Sequence, residues 1–154
     1  MDEADDLVVF TLDERRLALP LSRVERVVHA VEITPLPGAP EIVPGAINVQ
    51  GRVLPVLDIR ARLGLPERPL VLTDQILLAR AATRTVGLLA DTVEGVISGA
   101  ENPEIPGSEI VSGLDYVRGV VKRDGALILL LDLDLLLSRE EEKALGRAES
   151  RREG

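Results

Sequence analysis

Cysteine and tryptophan are absent from the 154 residues, and Phe10 and Tyr116 are the only other aromatics. Without thiols there can be no disulfide, thiolate nucleophile or cysteine-based metal site. With so few rings there is no platform on which nucleic-acid bases could stack. The core must be aliphatic, and many of its Val and Ile residues are β-branched and strand-favouring. Histidine occurs once, at His29. A lone imidazole with no cysteine cannot form a zinc-deaminase or zinc-finger site. Its setting, Val27–Val31, reads as a strand edge or solvated face rather than a general base oriented by Asp58 or Asp91. The serines lack a nucleophile-elbow context. Val43-Pro44-Gly45-Ala46-Ile47 lacks the glycine cluster of a phosphate loop, and Asp132-Leu133-Asp134-Leu135 lacks the spacing of a calcium loop. No enzyme activity, catalytic residue, cofactor or metal is expected.

Positive charge is also short. Against 26 acidic side chains stand 18 scattered Lys and Arg, a formal net charge of -8. Nucleic acid needs clustered cations and is a poor partner for such a chain. Met1–Asp6 is acidic and carries no signal-peptide pattern. The longest apolar run, Ala126–Leu131, is too short to span a bilayer. A cytoplasmic protein without membrane insertion is the expectation.

What the chain does contain is short apolar stretches separated by turn residues. Leu7–Leu12 and Leu17–Leu21 flank Asp13–Arg16; Ala46–Val49 and Val53–Leu57 flank Gln50-Gly51-Arg52. Ile76–Arg80 and Thr85–Ala90 flank Ala82-Thr83, and Val117–Lys122 and Leu127–Leu131 flank Asp124-Gly125, the strongest hairpin signal. Pro35, Pro37, Pro40 and Pro44 mark a stiff crossover. Further loops are expected over Gly64–Thr73 and Gly99–Gly113. Asp58 and Asp132 are placed to cap short helices over Ile59–Leu63 and Leu133–Ser138, the second of which can continue toward Leu145.

Two segments repeat. Gly45–Gly51, Asp58 and Leu63 align without gaps on Gly119–Gly125, Asp132 and Leu137. Leu7–Val28 aligns on Ile76–Ile97, pairing Leu19 with Leu88, Val24 with Val93 and Val27 with Val96. Repeated hairpin-and-cap units in one order predict an all-β chain of two similar small barrels. Such a body, with little chemistry, suits the presentation of grooves and strand edges to other proteins.

Asn48-Val49-Gln50-Gly51-Arg52-Val53-Leu54-Pro55-Val56-Leu57-Asp58-Ile59-Arg60 resembles the signature of CheW-like domains, approximately Asn-x-Arg-Gly-x-x-x-Pro-Val-x-Asp-Leu-Arg. Ile33–Pro37, Gly87–Val93, Tyr116–Gly119 and Leu129–Asp132 resemble other blocks of the same family in the same order, so the likeness runs from about Leu7 to Leu137. The resemblance implies two SH3-like five-stranded β-barrels in one CheW-like domain over 7–138, with subdomains at about 7–63 and 70–131 and short helices at the junction and C-terminus. A helix from 133 would pack back, after an acidic tail at 1–6 and before a charged extension at 139–154. It also implies a non-enzymatic adaptor coupling methyl-accepting chemoreceptors to a CheA-type histidine kinase in bacterial chemotaxis. Binding would be to the kinase's regulatory domain and the cytoplasmic tip of the receptor, at arrays on the inner face of the membrane. An adaptor of another chemosensory route (gliding or pilus motility), binding only receptor or only kinase, and a structural array component are the alternatives.

On that resemblance Val24, Arg26, Val49, Gln50, Arg52 and Val93 are the partner-binding candidates, while Gly51, Pro55, Asp58 and Asp132 read as turn or cap residues. Two positions depart from the family pattern. Gln50 stands where arginine is usual, removing a fork of donors, and Arg26 stands where glutamate is common. Both changes are expected at the surface and should alter partner choice.

Overall fold

The computed structural model describes residues 5–106 and 115–153. Residues 1–4 of the expected acidic tail, 107–113 of the loop expected over Gly99–Gly113, and the terminal Gly154 lie outside the described residues.

The strands are β1 (Leu7–Leu12), β2 (Arg15–Pro20), β3 (Val24–His29), β4 (Gly45–Val49), β5 (Arg52–Leu57), β6 (Gln75–Arg80), β7 (Thr85–Ala90), β8 (Thr92–Ile97), β9 (Glu104–Pro106), β10 (Val117–Arg123) and β11 (Ala126–Leu131). Among the described residues there are also two α-helices, α1 (Arg60–Leu63) and α2 (Arg139–Glu153), and 3-10 turns at Leu21–Arg23 and Leu133–Leu135. Two of the hairpin turns have two central residues, both left-handed: Gln50 and Gly51 (φ 51° and 86°), and Asp124 and Gly125 (φ 51° and 79°). That backbone twist matches the twist of the flanking strands, which is why these dipeptides reverse the chain.

The strands form a six-stranded sheet, β8-β1-β2-β11-β10-β9, and a five-stranded sheet, β3-β6-β7-β5-β4. The expectation of an all-β protein with two SH3-like five-stranded barrels is therefore corrected. Both sheets are open, ending at β8 and β9 and at β3 and β4 with no pairing between the ends among the described residues. Together with the 15-residue helix α2 they make a mixed α/β architecture. The physical reason lies in the third strand of each repeated triplet. Rather than closing on its own half, β3 pairs with β6, and β8 returns to pair with β1, both antiparallel. Two parallel contacts, β11 with β2 and β5 with β7, then repeat the same arrangement.

Strand alternation sorts the core. Along β1, Val8, Phe10 and Leu12 enter a large cluster shared by both sheets, while Leu7 and Val9 enter a smaller one with Ala18, Ile128 and Leu130. Ile47, Val56, Ile76 and Leu78 form the corresponding cluster on the five-stranded sheet. The charged C-terminal segment packs as a helix: Leu145 and Ala148 of α2 are buried in the shared core. Its start is a capping box. The Glu141 backbone N–H donates to Ser138 Oγ (3.1 Å), and the Ser138 N–H donates to Glu141 Oε1 (2.8 Å).

Candidate functional site

The β4–β5 turn projects three side chains in succession. Val49 is buried under the turn at 8% exposure, whereas Gln50 and Arg52 are exposed. The turn is fixed from within, because the Gly51 N–H donates to Asn48 Oδ1 (2.9 Å). Facing it is β3, where the register shifts between Val24 and Arg26 and Glu25 occupies the irregularity. Arg26 Nη2 donates to Gln50 Oε1 at 3.2 Å. Arg52 Nη1 lies 2.9 Å from Glu25 Oε2, and Arg80 Nη2 lies 3.2 Å from Glu25 Oε1. Hydrogen bonds from Arg52 and then Arg80 hold the Glu25 carboxyl below the usual glutamate range. Side chains alone thus span from the edge strand β3 to the β4–β5 turn.

The structure accordingly brings Arg26, Gln50 and Arg52 into one exposed cluster, with Val24 next to Glu25 on the same strand. Val24 and Val93 are both half-buried against the shared core. Val93 lies on β8, in the other sheet, where its N–H donates to Gln75 Oε1 (2.7 Å). Among the turn and cap candidates, Gly51 is left-handed, Pro55 lies within β5 opposite Ala46, and Asp58 Oδ1 accepts from the Arg60 N–H at 3.1 Å. Asp132 Oδ1 accepts from the Asp134 N–H, also at 3.1 Å, at the start of the 3-10 turn.

A second polar cluster escapes the reading of individual motifs. Arg60 is 4% exposed, and its Nη2 donates to Asp91 Oδ1 (2.6 Å) and Asp13 Oδ1 (3.2 Å). Arg68 bonds Asp91 as well and grips Asp74 through two contacts, at 2.9 and 2.6 Å. Asp74 in turn accepts from the Val71 N–H (2.9 Å), bracing the loop that carries Leu72, which is 91% exposed. Burial opposes ionisation of Asp91 and Asp74. The hydrogen bonds from Arg60, the Asp13 backbone and Arg68 to Asp91, and from Arg68 and Val71 to Asp74, outweigh it and hold both carboxyls below the usual range. The signal for this cluster was the presence of oppositely charged Arg60 and Asp91 in two separate motif blocks.

A cavity of about 1100 Å³, open to solvent, lies between α2 and the strand ends, lined by Arg62, Arg84, Tyr116, Leu137 and Glu141 among others. Neither His29 nor any partner-binding candidate lines it.

Residues 6–141 match the CheW-like domain family. The chain belongs to that family. It is 31% identical over 141 residues to the chemotaxis protein CheW of Rhizobium meliloti (strain 1021), covering 90% of this chain and 91% of that protein. Over 138 residues it is 33% identical to the chemotaxis protein CheW of Thermotoga maritima, covering 86% and 87% respectively. In three dimensions it is similar to the crystal structure of the scaffolding protein TtCheW from Thermoanaerobacter tengcongensis. The TM-score is 0.79 at 31% identity, over 90% of this chain and 95% of that one. A CheW-like protein is a non-enzymatic scaffold of chemotaxis signalling, and this chain is a divergent member. None of its described helices is long and apolar enough to cross a membrane.

Proposed function

We propose that this chain holds a chemoreceptor and a CheA-type histidine kinase together, binding the kinase's regulatory domain and the cytoplasmic tip of the receptor, at receptor arrays on the inner face of the membrane. The observation that carries this reading is the CheW-like match over residues 6–141, nearly the whole described chain. Regulation is then geometric: a rearrangement in the receptor reaches the kinase through a rigid connector that favours one of its states. Val24, Arg26, Val49, Gln50, Arg52 and Val93 are the contact candidates. Exposure of Arg26, Gln50 and Arg52 in one cluster supports direct contact for these three, while buried Val49 supports the turn that presents them. Gly51, Pro55, Asp58 and Asp132 serve the backbone.

Co-purification of the tagged chain from its native host tests the reading. Recovery of both a receptor and a kinase is the expected result. Recovery of the kinase without any receptor, or of the receptor alone, would replace coupling by a one-partner role.

A further inference from the structure

We propose that the face formed by Arg26, Gln50 and Arg52 is a cationic contact that receives a carboxylate-bearing surface of a partner protein. The inference rests on the adaptor reading above and adds the chemistry of the contact.

Around Glu25 stand Arg26, Arg52 and Arg80. Arg52 and Arg80 share that single carboxylate, and Arg26 is held by a neutral amide, with no carboxylate in salt-bridge range among the described residues. The patch is therefore locally positive on a chain of net charge -8. Such a reversal of sign orients and selects an acidic partner. A guanidinium gripped by an amide keeps its full charge and the free part of its donor fork, ready for a bidentate carboxylate contact.

The backbone supplies a second observation. Asp13, Gln50 and Asp124 are the three described non-glycine residues with positive φ, each opening a hairpin turn. Aspartate tolerates that conformation through its short side chain, whereas glutamine there carries strain that glycine or asparagine would relieve. What the longer side chain adds at this position is its reach to Arg26. The strained residue and the uncompensated cation are thus one device: Gln50 aims the charge without cancelling it.

Calorimetric titration of the full chain with two probes from the same genome, a receptor cytoplasmic fragment and the kinase regulatory domain, provides the test. Gln50→Glu is close in size to the native residue and would place a carboxylate on Arg26, so it should keep the fold while neutralising the contact. Gln50→Glu and Arg26→Glu are each expected to weaken binding of at least one probe by about tenfold or more, with Arg26→Ala smaller in effect. Raising salt from about 50 to about 300 mM should weaken the native chain more than Arg26→Glu. Native-like affinity in both glutamate variants would overturn the inference and leave the adaptor reading standing. Failure of the native chain to bind either probe would overturn both. If light scattering shows instead that Arg26→Glu dissolves a homodimer, the acidic surface belongs to a second copy of this chain, and the proposed partner is wrong.

Discussion

At the scale of single residues, the contrast between Arg60 and Arg26 is instructive. Both are cations in strongly folded surroundings, yet Arg60 is sealed among Asp13 and Asp91 and Arg26 is left in solvent with an amide. Removing Asp91 leaves the buried guanidinium with only the longer contact to Asp13, and its Nε already lacks a partner among the described residues. Asp91→Ala is expected to cost about 2–3 kcal/mol in urea unfolding. The pH dependence has a definite sign. Asp74 and Asp91 ionise more readily in the folded state than at the ordinary value of 3.8, so their stabilisation is present above that value. It is lost as pH falls through the lower folded values, when protons bind the unfolded chain first. Thermal unfolding should therefore be nearly level in this respect above about pH 5 and decline below about pH 4, with a shallower decline in Asp91→Asn. Arg60 and Asp91 each stood out in the sequence as members of a motif. Their 2.6 Å contact did not, because they are remote in the chain and nothing in local spacing reports a meeting across the fold.

Elements show more clearly what the sequence discloses. Gly45 and Gly119 begin corresponding units of the repeat, and they do the same work. A Cβ on Gly45 would collide with the Thr34 carbonyl, and on Gly119 it would fall 2.6 Å from the Ile105 carbonyl. Gly45→Ala and Gly119→Ala should each destabilise by about 2 kcal/mol, measured by denaturant midpoint, since the crowding atoms are backbone. Turn dipeptides and apolar alternation placed the hairpins well, for those signals are local. Helix α2 is a different case. Asp132 fits a cap, so a helix over Leu133–Ser138 is a reasonable expectation, but the chain makes only a 3-10 turn there and starts its long helix at Ser138-x-x-Glu141. That capping box was legible; the competing aspartate obscured it. The mooring of α2 predicts that Leu145→Ala costs about 2–4 kcal/mol in thermal or urea unfolding, as its side chain is fully buried.

Over the whole molecule, the repeat was visible in the sequence, but its closure was not. Alternation specifies that β3 and β8 are strands with one face inward, and it is silent on which neighbour they choose. The choice of β6 and β1 joins the halves through both sheets. Unfolding should consequently be a single transition with coincident probes, and chains cut in the loop between α1 and β6 should be unfolded separately yet associate when mixed. A native fragment of residues 1–70 that folds cooperatively as a monomer would contradict this. Pseudo-equivalent strands also explain why a residue-level reading placed Val24 and Val93 together as matched positions although they lie in different sheets.

The exchange of the hairpins β1–β2 and β6–β7 has the form of a domain swap held within one polypeptide. Each half lends its first hairpin to the other, β1–β2 lying between β8 and β11 and β6–β7 between β3 and β5, as two identical subunits exchange an element about a twofold axis. A single half, with its sequence regularised so that one copy can serve both roles, would then have an unfilled hairpin position and a hairpin to give. It should assemble as a reciprocally swapped homodimer, seen as a doubled mass in light scattering.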